Sequence, residues 1–171
     1  MSVPTATGDE LAGVVDLFGA LTRTELERAL DELAFKQGAE TDAEAFAAAV
    51  DAAVESFYLV PVDAADVADS ADGSVPEDNL LAPGPAAFPA LPDHAEDLPH
   101  ILDVPERTVD RDRLARAAER RLRAAAASAV EREDAERIER LLDVSYDLET
   151  WASVDASGIR DRLDDALAES E

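Results

Sequence analysis

Apolar residues return at helical spacing in three successive runs near the start of the chain. Leu11, Val14, Val15 and Phe18 fall at i, i+3, i+4 and i+7, one face of a helix, with Asp9 and Glu10 at its positive end and Gly19 closing it. Thr22 and Glu25 have the capping-box spacing and open a second helix. Its buried stripe is Leu26, Ala29, Leu30, Leu33 and Ala34, and Gly38 occupies the position where a helix end favours a left-handed residue. Thr41 with Glu44 repeats the box, or Asp42 is the cap, ahead of Phe46, Val50, Ala53, Val54 and Phe57. Tyr58 to Val62 then reads as a β segment, which Pro61 restricts to an edge strand or a strand end.

The pattern changes after Val62. Asp63 to Gly73 is small and acidic, so Asp63 to Glu77 is expected to be a mobile loop, as Met1 to Gly8 is expected to be a disordered leader. Eight of the nine prolines lie between Pro61 and Pro105, which excludes a continuous helix or sheet there. Leu80, Leu81, Phe88, Leu91, Leu98, Ile101 and Leu102 are too apolar for a free linker, so Leu80 to Leu102 is expected to cross the helical core in extended form.

Beyond Pro105 proline never returns. Val109 and Leu114 flank Asp110 with the hydrophobic-staple spacing and predict a helix through Leu114, Ala118, Leu122, Ala125 and Ala129. Ile138, Leu141, Leu142, Leu148 and Trp151 predict another from about Glu131 to Ala152, either capped by Ser128 and Glu131 or continuous with its predecessor as a bent rod. Ile159, Leu163 and Leu167 mark a short final helix from Ser157. Trp151 and Tyr146 are expected to anchor this C-terminal packing. The chain thus divides into residues 1–62, 63–105 and 106–171.

The order helix, turn, helix, helix, strand resembles a winged helix-turn-helix domain. It is carried by Leu21-Thr22-Arg23-Thr24-Glu25-Leu26 and by Ala43 to Phe57 running into Tyr58-Leu59-Val60, with Asn79-Leu80-Leu81-Ala82 as a returning strand. The likeness covers roughly the first half and its motifs are generic. It implies a mainly α fold: a winged-helix-like three-helix N-terminal domain with a short β element, followed here by a C-terminal helical hairpin. In DNA-binding members of that class the third helix enters the major groove, which takes cationic or polar donors aimed at phosphates and base edges. Here that stretch carries Asp42, Glu44, Asp51 and Glu55 and no Lys or Arg, and it would repel a polyanion.

Charge sharpens the picture. There are 40 acidic against 15 basic residues, a net charge of −25, and Lys36 is the single lysine. Such acidity suits either a surface that mimics nucleic acid or binds basic partners, or a protein adapted to a salt-filled cell. Clustered tails are expected of the first; these acids run through every segment, which favours the second. In molar salt the Debye length is about 3 Å, so this charge density costs little stability. The composition, together with Asp9-Glu10-Leu11-Ala12-Gly13-Val14-Val15-Asp16-Leu17-Phe18-Gly19-Ala20-Leu21-Thr22, resembles the small acidic haloarchaeal families of unknown function. With no 18-residue apolar run, no signal-peptide pattern at Met1 and no cysteine, a cytoplasmic location is expected.

Candidate chemistry is sparse. Arg107, Arg111, Arg113, Arg116, Arg120, Arg121 and Arg123 fall among only three acids, Asp110, Asp112 and Glu119. Arg113, Arg116, Arg120 and Arg123 recur at helical spacing and form a stripe suited to phosphates, or to neighbouring carboxylates as internal counter-charge. The counter-charge reading is favoured, because carboxylates are everywhere. Asp93, His94, Glu96, Asp97 and His100 form the one His–carboxylate cluster, and His94 and His100 are the candidate metal ligands, at a spacing that matches no metal motif. No nucleophile elbow, cysteine, P-loop or dinucleotide fingerprint is present, so neither an enzyme nor a cofactor is expected. The sequence points to an interaction or adaptor module that meets another protein or its own copy. The alternative is a DNA-binding regulator that uses the arginine stripe. The salt reading is directly testable: circular dichroism during dilution from molar to low KCl should show loss of helix, whereas an unchanged spectrum contradicts it.

Overall fold

A computed structural model describes residues 7–39, 42–70 and 79–170. The chain is mainly helical with a small three-stranded antiparallel sheet, and it forms two compact units, residues 1–110 and 111–171.

Helix α1 (Gly8–Phe18) carries Asp9 and Glu10 in its first turn, as their place at its positive end predicts. Thr7 accepts from the Glu10 N–H at 3.1 Å while Glu10 accepts from the Thr7 N–H, a capping box that the expected leader concealed. Residues 1–6 of that leader lie outside the described residues. Strand β1 (Leu21–Thr22) leads into α2 (Arg23–Lys36), where the Thr22–Glu25 box forms as the spacing predicts. Helix α3 (Ala43–Glu55) is capped by Asp42, whose carboxylate accepts from the N–H groups of Glu44 and Ala45; the competing candidate Thr41 lies outside the described residues.

Strand β2 (Leu59–Val62) takes an edge of the sheet, as Pro61 requires, and β4 (Leu80–Pro83) is central, in the order β1-β4-β2. Leu81 lies opposite both Leu21 and Pro61, and Leu80 opposite both Thr22 and Val62. Leu11, Val15 and Phe18 of α1, Leu26 and Leu30 of α2 and Phe46 and Val50 of α3 share one core with Leu59 and Leu81 of this sheet.

The Pro-rich segment after β4 crosses the start of α1, where the Phe88 N–H donates to the Asp9 carboxylate at 2.9 Å and the Ala90 N–H to the Asp9 carbonyl at 3.0 Å. A Cβ on Gly13 would stand 2.0 Å from the Ala90 carbonyl oxygen, so glycine is what lets the two backbones approach. The segment continues into α4 (Leu98–Ile101), with Ala95 and Leu98 buried in the same core.

The mobile loop expected over Asp63 to Glu77 is corrected in its first half. Ala64–Asp66 form a single 3₁₀ turn, and β3 (Val67–Ser70) pairs antiparallel with β5 (Arg107–Val109), in a register broken by a bulge between Val67 and Asp69. The ladder satisfies backbone groups that small acidic side chains gave no reason to bury. Residues 71–77 of that expected loop lie outside the described residues.

Strand β5 is held by a buried ion pair. Arg107 is 3% exposed at its side chain and forks onto Glu25, Nη1 to Oε1 at 2.7 Å and Nη2 to Oε2 at 3.1 Å, with Nη1 also donating to the Ala20 carbonyl. Gly19 turns here at φ 83°, and a Cβ on it would lie 1.7 Å from the Arg107 carbonyl oxygen. Burial pushes the Glu25 carboxyl up, but hydrogen bonds from Arg107 and Thr22 outweigh it and hold the group below its ordinary value.

The second unit is built from α5 (Arg111–Glu131), α6 (Ala135–Trp151) and α7 (Ser157–Ser170), so the expected hairpin carries a third helix packed on both members. Leu114, Ala118, Leu122, Leu141, Leu148 and Leu163 are among its fully or nearly fully buried residues. The α5–α6 break falls later than Ser128 and excludes a single bent rod. Ser128 sits among alanines that favour continued helix, so the turn comes at Glu133, φ 54°, and Asp134 caps α6 by accepting from the Arg137 N–H.

Truncating one side of a buried pair strands the other charge, at a cost of about 3 kcal/mol or more. Arg107→Ala should lose that much in denaturant unfolding in high salt. Because the folded Glu25 carboxyl is lowered, its contribution is complete above the unfolded value of about 4.3 and fades as pH falls through the lower folded value. The wild type should therefore lose stability below about pH 4, and Arg107→Ala should lose less of it.

Candidate functional site

Helix α5 is the one helix with net positive charge among the described residues: six arginines against Asp112, Glu119 and Glu131. Its buried positions, Leu114, Ala115, Ala118, Leu122, Ala126 and Ala129, occupy one side. A step of 100° per residue puts Arg113, Arg116, Arg120 and Arg123 on the opposite side, and all four are exposed. The eleven residues from Arg113 to Arg123 span about 15 Å of helix.

These arginines differ in their partners. Arg123 donates to Glu119, one turn earlier, at 3.0 Å. Arg113 also has an interaction within the chain. Arg116 and Arg120 have no partner among the described residues. Arg107, grouped with them by sequence proximity alone, is the buried partner of Glu25 and is not part of this surface. Internal counter-charge therefore accounts for Arg107 and Arg123 and leaves Arg116 and Arg120 as uncompensated charge.

Beside the first turns of α5 lies a cleft of about 670 Å³, closed on its far side by the connection from α6 to α7. Trp151, the last residue of α6, lines it half-buried, and the Arg111 guanidinium lies over the indole, 5.2 Å from the ring centroid. Spacing gave no hint of this contact, which joins residues forty positions apart. Tyr146, expected to anchor the C-terminal packing, is 57% exposed and carries the Arg160 guanidinium over its ring at 4.0 Å. Arg160 also bonds Glu149 and the Ser145 hydroxyl, tying α7 to α6. Arg160 is the first cause of the lowered Glu149 carboxyl, with the Ala156 N–H next.

On α3, Glu44, Asp51 and Glu55 are exposed, as is the capping Asp42. Arg23 of α2 reaches this helix, 2.9 Å from Asp51 and also donating to the Ala47 carbonyl. It neutralises one carboxylate and adds no outward positive charge.

His94 and His100 are exposed; His94 stands in the left-handed region at φ 72° before a 3₁₀ turn, and His100 lies in α4. Nearby Asp97 sits 3.8 Å from Lys36. Among the described residues no group of three or more His, Asp or Glu could hold a metal, so the structure does not bring the sequence cluster together as a ligand set.

Fold and surface together define a two-unit, mainly helical protein whose distinctive local feature is an arginine-bearing helix face next to a tryptophan-lined cleft. The chain belongs to a family of unknown function, DUF7109, whose model matches residues 9–168. No curated protein and no solved structure matches it. No helix of the described residues is long and apolar enough to cross a membrane. Titration calorimetry with Zn²⁺ should give no saturable heat that His94→Ala or His100→Ala removes, because two exposed imidazoles fall short of the four ligands a structural zinc site takes.

Proposed function

We propose that this protein is a non-enzymatic interaction module, and that the solvent face of α5 meets an acidic surface of a partner protein. One observation carries the reading. In a chain with 40 carboxylates, Arg116 and Arg120 are exposed on that face without a carboxylate partner among the described residues. Exposed pairs contribute little to folding, about 1 kcal/mol or less, so stability gives no reason to gather arginines there. An acidic partner would supply the missing carboxylates. We also read the dispersed acidity as adaptation to a salt-rich cytoplasm, the composition shared by haloarchaeal proteins.

A second reading is a DNA-binding regulator. It is supported by the order of elements in the first unit, where β1 stands between α1 and α2, and β2 and β4 follow α3, as in a winged-helix domain. The carboxylates of α3 oppose it. The arginine face would then have to supply the phosphate contacts.

Affinity purification from source-cell lysate in molar KCl should recover a partner with the wild-type chain and lose it when Arg113, Arg116, Arg120 and Arg123 are all changed to Gln, with an unchanged circular dichroism spectrum. Recovery by both chains would reject the face. Duplex DNA retained by the wild type alone in a mobility-shift assay at that salt would favour the second reading.

A further inference from the structure

The cleft beside α5 has a chemistry that the arginine face alone does not explain. Its charged lining is Arg111, Asp112, Arg116, Glu119 and Asp155, with Trp151, Ala115 and Val154 adding apolar surface. The carboxylates are each engaged within the chain, though their charge still bears on the rim. Glu119 accepts from Arg123 at 3.0 Å, Asp155 accepts from the Ser157 N–H at 2.9 Å, and Asp112 is also engaged within the chain. The cations differ. Among the described residues Arg116 has no partner, and Arg111 has the indole of Trp151 as its partner and no carboxylate. What remains for a visitor is two guanidiniums beside an indole, in a recess whose size falls within the range of about 300–1,000 Å³ usual for binding pockets.

The lining also sets what that visitor is. Guanidinium forks match planar carboxylates, and the indole edge with Ala115 and Val154 suits a short carbon stem. Three carboxylates around the rim repel any anion, and they repel a doubly charged phosphate more than a singly charged carboxylate. We propose that this cleft binds an acidic side chain of a partner peptide. Arg116 pairs with its carboxylate, Arg111 adds a second guanidinium from its place on Trp151, and the apolar lining takes the stem. The proposal rests on the reading of α5 as a face for an acidic protein, and it locates the partner's anchoring residue on that face.

Trp151 is the one tryptophan of the chain, so its emission reports on the cleft. The full-length protein, in KCl at which its dichroism shows it folded, is titrated with a short Glu-rich peptide, its Gln counterpart and a short DNA duplex. A saturable change with the Glu peptide alone is expected. One charge-assisted hydrogen bond is worth about 1.5 kcal/mol or more, so Arg116→Gln and Arg111→Gln should each weaken binding by about tenfold. Arg120→Gln lies on the face but outside the cleft and should leave binding within about twofold. Calorimetry with Trp151→Phe should show binding that persists but is weaker.

Binding weakened by Arg120→Gln and untouched by Arg111→Gln would overturn the cleft and leave the α5 face standing. An equal response to the Gln peptide, or a stronger one to the duplex, would overturn the carboxylate assignment. No saturable binding of any probe would overturn the cleft, while partner capture by the wild type, lost in the four-arginine variant, would still support the face.

Discussion

The first unit depends on one carboxylate doing two things. Glu25 completes the capping box that starts α2, and it receives the guanidinium fork of Arg107 from 82 residues further along the chain. Around this pair the geometry leaves little freedom. Gly19 must be glycine because the Arg107 carbonyl occupies the space of a Cβ, and the Ala20 carbonyl takes a third Arg107 contact. A helix start, a two-residue strand and the end of the unit are thereby fixed relative to one another by one set of hydrogen bonds. A buried ion pair gives modest net stability against a well-packed apolar alternative, and its attested strength is in specifying one arrangement. In a core made largely of Ala, Val and Leu, whose packing is permissive, that specification fixes where β5 comes to rest.

Scarcity of cations gives meaning to where each one lies. Arg23, Arg107, Arg123 and Arg160 each neutralise a carboxylate of their own unit, and Arg160 adds the Tyr146 ring and the Ser145 hydroxyl. Arg28, Arg132, Arg140 and Arg162 are likewise exposed with no side-chain partner among the described residues, so what sets α5 apart is that its exposed arginines gather on one face of the one helix with net positive charge among the described residues. The same scarcity bears on α3, where Arg23 is absorbed by Asp51.

Much of the helical architecture was legible, because period and caps are local. Thr22 with Glu25, Asp42, and the stripes of α2, α3, α5 and α6 follow from spacing within a few residues. What was not legible depends on distance along the chain. Strands β3 and β5, four and three residues rich in Asp, Ser, Arg and Thr, lack alternating apolar residues and become strands by finding each other. Arg107 could not be separated from Arg111 by spacing; one ends buried on Glu25 and the other stacks on an indole. Ser128 carried a capping signal that a run of alanines overrode, and the break fell to Asp134. The cleft was invisible for the same reason, since its walls come from the first turns of α5 and from residues 151–155.

Salt decides between the two kinds of anion that an arginine face could meet. Contacts to four phosphates of duplex DNA weaken by about three to four powers of ten for each tenfold rise in salt, because the affinity comes from releasing condensed counterions. A carboxylate seated in a recess loses the long-range part of its attraction in the same solution. It keeps the short-range fork and the apolar contact, because the Debye length at molar salt, about 3 Å, is comparable to the ion-pair distance itself. In dilute salt a net charge of −25 would repel any polyanion before contact. In concentrated salt that repulsion vanishes together with most of the attraction that nucleic-acid binding relies on. Under both conditions the surviving advantage belongs to a compact, singly charged group that fits beside Trp151, which is why the protein reading of this surface is preferred to the nucleic-acid one.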